Sequence, residues 1–144
     1  MVEALVNGRA ADKVALDDRG LLYGDHLFET IAFVGPHAPL WDLHMARLLR
    51  GARRLLLPDP EPPLLAAECA RLLHSAERSV LRITITRGSG GRAYQPPAEP
   101  EPRRILLRRA WPEGLALARR DGLVAHTSPI RLAVGCELAG IKHG

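Results

Sequence analysis

The sequence has 144 residues, of which 47% are hydrophobic and 25% charged, and its formal net charge is +4. That length accommodates one ordinary domain with a core, or a small domain and the beginning of a second. No apolar run approaches the roughly 18 residues that cross a bilayer. The N-terminus lacks the basic-then-apolar layout of a signal peptide. We therefore expect a cytoplasmic protein.

The basic residues are 18 arginines and only two lysines, Lys13 and Lys142. The arginines are spread along the chain and aromatic residues make up 4% of it, which argues against a nucleic-acid-binding protein. Cys69 and Cys136 are too far apart for a C-x-x-C metal motif, and no two histidines have the i, i+4 spacing of a metal site. We expect two buried thiols and no metal.

The first third of the chain predicts a hairpin, a strand and a helix. The Asn-Gly pair between short apolar pieces predicts a type I′ hairpin over residues 2–11. A polar turn over 17–20 precedes a β-rich run over 27–34. Beyond it, apolar residues recur at helical spacing and predict a helix over about 41–56, with Asp42 available as the N-cap.

The rest of the chain is predicted to contain a second helix, three more strands and a short helical piece. A second amphipathic helix is predicted over about 62–76, and strict alternation over 79–87 predicts the clearest strand. Further strands are predicted over 103–111 and 123–128, and a short helical piece over 113–120. Two helices between β-hairpins, without β-α-β alternation, predict an α+β domain built on a mostly antiparallel sheet.

The glycine-rich stretch "GSGGRA" formally matches a dinucleotide-binding fingerprint after a strand. That fingerprint requires a helix to begin there, so that the helix N-terminus can bind the pyrophosphate. A proline-rich segment follows instead, so we reject the match. What remains is a glycine loop with Arg92 and Tyr94 at its tip.

Lys142 stands in "ELAGIKHG", after a small apolar run. A lysine nucleophile needs a desolvated setting or a cationic neighbour that lowers its pKa. The residues alone favour the simpler interpretation of a charged lysine in a frayed tail. Similarly, Arg47, Arg50 and Arg54 share one helix face, which by spacing alone indicates a solvated basic surface.

Several stretches together carry a family resemblance: "DDRGLLYGDHLFETI", "HMARLLRGARRL", "RITITRGSGGRAYQPP", "SPIRL" and "LAGIKHG". In this order they resemble the fold-type IV pyridoxal-phosphate enzymes, which include the class IV aminotransferases. "RGSGGRAY" and "LAGIKH" are most similar to the aminodeoxychorismate lyases of that family. The resemblance implies a homodimer that converts 4-amino-4-deoxychorismate to 4-aminobenzoate and pyruvate, with pyridoxal phosphate as cofactor.

The resemblance also implies roles for individual residues. Lys142 would bind the cofactor covalently and then move the proton. Arg47 would bind the cofactor phosphate, a role that suits its bidentate guanidinium. Tyr94, Phe28 and Trp111 would line the substrate pocket.

Two loops depart from the family pattern. Gly24-Asp25-His26 stands where the family usually has Gly-Asp-Gly, and Gly91-Arg92-Ala93-Tyr94 where it usually has Gly-Arg-Gly-Tyr. Each departure replaces a permissive glycine by a residue with a Cβ, so local loop conformation is expected to differ.

The resemblance divides the chain into an N-terminal α+β domain over 1–111 and an interdomain segment over 112–144 that begins the cofactor-binding domain. Family members continue well beyond the lysine. We therefore expect the 144-residue chain to be an N-terminal part of such an enzyme and inactive by itself. A D-amino-acid or branched-chain aminotransferase of the same fold is the nearest alternative. A non-catalytic interaction fragment comes next, and a nucleic-acid-binding protein comes last.

Overall fold

A computed structural model describes residues 3–73, 78–130, 135 and 137–144. Its elements, in chain order, are β1 (Ala4–Val6), β2 (Arg9–Ala10), α1 (Arg19–Tyr23), β3 (His26–Val34), α2 (Trp41–Arg54), α3 (Pro62–Leu72), β4 (Arg78–Thr86), β5 (Arg103–Ala110) and α4 (Leu115–Asp121). The predicted α+β class with an antiparallel sheet is confirmed. The two predicted helices correspond to α2 and α3, and the short helical piece predicted over 113–120 corresponds to α4, whereas α1 was not predicted as a helix.

One five-stranded sheet has the order β2-β1-β5-β4-β3, and every neighbouring pair is antiparallel. The first two strands form the predicted hairpin. Its turn residues Asn7 and Gly8 have φ values of 48° and 73°, the positive values that a type I′ turn requires. At the other side of the sheet, β3 is an edge strand, so one row of its backbone groups is available to another segment.

Alternation along the strands gives the sheet two different faces. The inward residues of β3 are Leu27, Glu29, Ile31 and Phe33, all of them buried. Helices α2 and α3 contribute to the same core through Met45, Leu48, Ala52, Leu65, Cys69 and Leu72. Burial raises the pKa of the Cys69 thiol to about 12, and the neighbouring Glu68 adds to the increase. Cys69 is thus the buried thiol that the sequence predicts, whereas Cys136 lies outside the described residues.

Three local predictions differ from the structure. Asp42 lies inside the first turn of α2, and the cap position is Leu40, which makes no side-chain cap hydrogen bond. The polar turn after Asp17 continues into α1, because Asp18 Oδ1 accepts a 2.8 Å hydrogen bond from Gly20 N at the helix start. No strand forms over 123–128, where every residue is exposed and extended pairing partners are lacking among the described residues.

Within the described residues, no helix is both long enough and apolar enough to cross a membrane.

Candidate active site

Lys142 lies against the free edge of β3. The Phe28 amide donates a 2.9 Å hydrogen bond to the Lys142 carbonyl, and the Gly144 amide donates one of 3.1 Å to the His26 carbonyl. Leu27 and His143 form a bridge between them. The last residues therefore extend the sheet by one short segment, and these backbone bonds, together with the packing of Ile141 against the core, fix the position of Lys142.

The amine of Lys142 stands over an aromatic ring. Its Nζ lies 4.6 Å from the Phe28 ring centroid and 3.5 Å from Thr30 Oγ1. Desolvation lowers the pKa of Lys142, and the nearby cations Arg47 and Arg82 lower it further, while Glu29 acts in the opposite direction. The net direction is the one that a lysine nucleophile needs, because only the neutral amine attacks a carbonyl.

Arg82 contacts the Phe28 ring as well. Its Cζ lies 3.7 Å from the Phe28 centroid, a favourable cation–π distance. The β3–β4 register places Arg82 opposite Thr30 and Thr84 opposite Phe28, so these four side chains lie on the sheet face that is turned away from the helices. Arg82 makes no ion pair with any carboxylate of the described residues.

Glu29 is a buried carboxylate on the opposite face of the same strand. It is 0% exposed and accepts hydrogen bonds from α2. Arg47 Nε and Nη2 donate to its two oxygens at 2.6 Å each, and His44 Nδ1 lies 2.7 Å from Oε2. Burial by itself raises the pKa of a carboxyl group, but these bonds outweigh burial and lower the pKa of Glu29.

Arg47 keeps part of its guanidinium available. Glu29 occupies the side edge, formed by Nε and Nη2, whereas Nη1 makes no hydrogen bond within the part of the chain that the structure describes. The side chain is 39% exposed. A phosphate could therefore approach the outer edge of Arg47 while the ion pair with Glu29 stays intact. Arg54, by contrast, contacts Glu137, and Arg50 is exposed.

Tyr94 lies in the glycine loop that follows β4, at the end of the sheet where Thr86 pairs with His26. Its side chain is 86% exposed, and its ring centroid is 5.6 Å from that of Tyr23. The neighbouring Ala93 has a left-handed φ of 50°, so this position does adopt a conformation that glycine takes more easily. His26, the other departure from the family pattern, is simply the first residue of β3.

Buried Arg19 holds this loop in place. Its guanidinium donates to the carbonyls of Gly90, Ala93, Tyr94 and Gln95 at 2.9 to 3.3 Å. Its Nε donates to Asp25, which also receives two hydrogen bonds from Arg87. Arg87 in turn donates to the carbonyls of Leu55 and Leu56 at the end of α2. One ionic network thus connects the loop to the helix that carries Arg47.

Trp111 lies elsewhere. It follows Ala110, which pairs with Ser79, and its ring is 5.7 Å from Arg78 Cζ. Phe28 pairs with Thr84, five residues further along β4, which corresponds to roughly 17 Å. The structure therefore brings Lys142 and Phe28 together, places Arg47 on the helix side of the same strand, where its charge still acts on Lys142, puts Tyr94 at the same end of the sheet, and leaves Trp111 at the opposite end.

Sequence reasoning missed Glu29, His44, Arg82 and Arg19. A signal existed for Glu29: it lies midway between Leu27 and Ile31, so the period of a strand places a charged residue on the same face as two apolar ones. No comparable signal existed for the contacts of Arg19 with the glycine loop, whose carbonyls lie more than 70 residues further along the chain. Among the described residues, no group of three or more His, Cys, Asp or Glu side chains is arranged to hold a metal ion.

Comparison with known proteins gives consistent matches. A sequence model for the family described as amino-transferase class IV matches residues 26–144. An aminodeoxychorismate lyase of Vibrio harveyi is 28% identical over 138 residues, which are 96% of this chain and 51% of that protein. A bifunctional aminodeoxychorismate lyase / D-amino acid transaminase of Mycobacterium tuberculosis is 32% identical over 117 residues, or 77% of this chain and 38% of that protein.

Solved structures give the same picture. The crystal structure of 4-amino-4-deoxychorismate lyase from Pseudomonas aeruginosa superposes with a TM-score of 0.80 at 39% identity, over 97% of this chain and 52% of that one. A hypothetical aminotransferase from Mycobacterium tuberculosis, in its PLP-bound form, gives a TM-score of 0.66 at 27% identity, over 83% of this chain and 44% of that one. The chain spans about half the length, or less, of these relatives.

Proposed function

The chain belongs to the class IV aminotransferase family, and we propose that it serves the aminodeoxychorismate lyase reaction, in which 4-amino-4-deoxychorismate yields 4-aminobenzoate and pyruvate. Family membership confirms the fold-type IV resemblance. It also confirms pyridoxal phosphate as the cofactor of the family. The observation that carries the proposal for this chain is the setting of Lys142: its amine is partly desolvated and stands over Phe28, and desolvation together with Arg47 and Arg82 lowers its pKa against the opposite effect of Glu29.

The residues fit the cofactor by their chemistry. Lys142 offers an amine whose lowered pKa favours the neutral, nucleophilic form. Arg47 offers an exposed guanidinium edge of the kind that binds phosphate. We assign the covalent attachment of the cofactor to Lys142 and its phosphate to Arg47. Phe28 would form one wall of the pocket and Tyr94 another. The role of Trp111 in the pocket stays a prediction, and so does the division of the chain at residue 111.

When bound, pyridoxal phosphate supplies an electron sink that acidifies the C–H bond next to the substrate amine. Once the substrate amine has taken its place, Lys142 would be a free amine, and its Nζ would remove that proton as a general base. A lowered pKa would assist Lys142 in both roles, since its amine must be unprotonated to attack the cofactor carbonyl and again to accept the proton. The bond between the ring and the enolpyruvyl oxygen would then break, the proton held on Lys142 Nζ would pass to the enolpyruvyl methylene carbon so that this group leaves as pyruvate, and the ring would become aromatic.

A trapping experiment separates this reaction from amino transfer. The chain is incubated with pyridoxal phosphate and then reduced with borohydride, and labelling of Lys142 is quantified by peptide mapping. Prior addition of 4-amino-4-deoxychorismate should protect Lys142, because the substrate amine displaces it, while D-alanine or L-leucine at the same concentration should not. Protection by the amino acids alone would contradict the lyase assignment.

Aminotransfer is the second candidate, and the relative of Mycobacterium tuberculosis that carries both names favours it. Amino transfer from D-alanine to a keto acid would support this candidate. The inactivity of the 144-residue chain by itself stays a prediction, and detectable release of pyruvate by the purified chain would contradict it. The homodimer is likewise part of the proposal, and light scattering measures it directly.

A further inference from the structure

Glu29 belongs to the site but is completely buried, so its carboxylate is closed off from solvent. It stands between Leu27 and Ile31 on the buried side of β3, and all three residues are at most 1% exposed. An ionised carboxylate so far from water is costly unless it is paired and hydrogen-bonded. Both of its partners, His44 and Arg47, come from neighbouring turns of α2. The carboxylate therefore fastens the helix to the strand that Lys142 lies against.

The pairing also restricts Arg47 to one orientation. Two parallel bonds of 2.6 Å join its Nε and Nη2 to the two oxygens of Glu29, which is a bidentate geometry that fixes the plane of the guanidinium. A free arginine side chain loses considerable rotamer freedom when it binds a ligand. Because Glu29 has already fixed this side chain, binding of a phosphate at the outer edge does not have to order it.

The charges of Glu29, Arg47 and Arg82 also favour the binding of a phosphate at Arg47. Arg47 and Arg82 are the cations that act on Lys142, and Glu29 is the anion that acts on it. Glu29 is completely buried, whereas the Arg47 side chain is 39% exposed. The negative charge is thus hidden behind the guanidinium, and the surface that a phosphate would meet is the cationic one.

We propose that Glu29 is a positioning residue for phosphate binding, and that it acts by holding Arg47 in the orientation that leaves its outer guanidinium edge free. The preference of the site for a phosphorylated cofactor would then depend on a side chain that contacts no ligand. This inference rests on the proposed function, in which Arg47 binds the phosphate.

The test compares pyridoxal phosphate with pyridoxal, which has the same aldehyde but no phosphate. Dissociation constants for both are measured by absorbance titration on the 144-residue chain and on Glu29→Gln. Glutamine keeps the shape of glutamate but presents one acceptor and one donor, so the two-bond pairing with Arg47 is lost. Hydrogen bonds to charged groups correspond to about a ten-fold effect or more. We expect the preference for pyridoxal phosphate to fall about ten-fold, with pyridoxal binding nearly unchanged.

Further variants separate positioning from a general structural effect. Glu29→Asp keeps the charge but shortens the side chain, and should lose part of the preference. Glu29→Gln combined with Arg47→Gln should lose no more than Arg47→Gln alone, because residues that act through each other are not additive. Asp59→Asn removes the carboxylate partner of Arg53, an exposed pair at the end of α2, and should leave both constants unchanged.

Each result has a distinct meaning. Wild-type preference for pyridoxal phosphate that persists in both Glu29 variants would overturn the inference and leave the proposed function intact. Equal binding of the two aldehydes by the wild type, without labelling of Lys142, would overturn both. Circular dichroism of every variant establishes that the folded chain is being measured. If Glu29→Gln does not fold, Glu29→Asp decides the question: a reduced preference for pyridoxal phosphate supports the inference, and an unchanged preference overturns it.

Discussion

The Lys142 carbonyl accepts a hydrogen bond from the Phe28 amide, and the Lys142 amine stands over the Phe28 ring. The backbone and the side chain of Lys142 thus both contact Phe28 of β3. An edge strand can accept a further segment through its unpaired backbone groups. This pairing explains how the lysine reaches a partly desolvated position although the described residues before it, over 121–130 and 137–140, are mostly exposed.

The lowered pKa of Lys142 should depend on Arg82. Arg82→Gln removes a cation that disfavours the charged amine, so the pKa of Lys142 should rise and less neutral amine should be present near pH 8. The rate of labelling of Lys142 by an amine reagent, mapped by mass spectrometry, should therefore fall. Arg50→Gln, an exposed arginine of α2, is the matched control and should have no effect. Unchanged or faster labelling in Arg82→Gln would show that Arg82 does not act on Lys142.

Acid should destabilise the chain through Glu29 and Asp25. Hydrogen bonds from arginines outweigh burial and hold their pKa values below the ordinary 4.5 and 3.8. The unfolded state therefore binds protons first as the pH falls. The stabilisation is complete above the ordinary values and is lost as the pH falls through the folded ones.

Urea unfolding between about pH 7 and pH 3 measures this effect. The free energy of unfolding should decrease steeply below about pH 5 in the wild type and less steeply in Glu29→Gln, which has one fewer shifted carboxyl. Asp59→Asn should keep the wild-type slope. An identical slope in Glu29→Gln would mean that Glu29 is not held ionised by its partners.

The glycine loop should lose its fixed conformation without Arg19. Arg19→Lys keeps the charge, but one ammonium cannot replace a guanidinium that reaches four loop carbonyls and Asp25. Trypsin should consequently cleave after Arg92 several times faster in the variant. The control Arg120→Lys alters an exposed pair with Asp121 on α4. Equal cleavage rates in wild type and Arg19→Lys would show that other contacts hold the loop.

Gly88 should not tolerate a side chain. It has a φ of 86°, and a Cβ there would overlap the Glu101 carbonyl oxygen. Left-handed backbone and overpacking together predict that Gly88→Ala costs roughly 2 to 5 kcal/mol. Gly114→Ala is the matched control, because its φ is 78° with no atom within 4 Å, and it should cost only about 1 to 2 kcal/mol. Similar unfolding free energies for the two variants would refute the predicted close contact.

Local patterns predicted much of the fold. The Asn-Gly turn, the alternation of β4 and the helical period of α2 each depend on residues close in sequence, and all three elements formed. The five residues of α1 are too few to show a period, so their polar neighbourhood indicated only a turn. The apolar residues over 123–128 predicted a strand, but propensity alone does not form one without a partner.

Less of the candidate site than of the fold could be predicted from the sequence. Lys142 and Arg47 came from the family resemblance, since spacing alone favoured a frayed tail and a solvated helix face. The pairing of Glu29 with Arg47 and the contacts of Arg19 with residues 90–95 join distant parts of the chain. Such pairings depend on how strands and helices pack, which composition and periodicity do not specify.

Covalent labelling of Lys142 tests the account most directly. The purified chain is mixed with pyridoxal phosphate, reduced with borohydride and digested, and the modified peptides are mapped. One label per chain at Lys142, with little at Lys13, is the predicted result, because the pKa of Lys142 is lowered and the charge of Arg47 acts on it. Absence of labelling, or equal labelling of Lys13 and Lys142, would contradict the assignment of Lys142 as the cofactor-binding lysine.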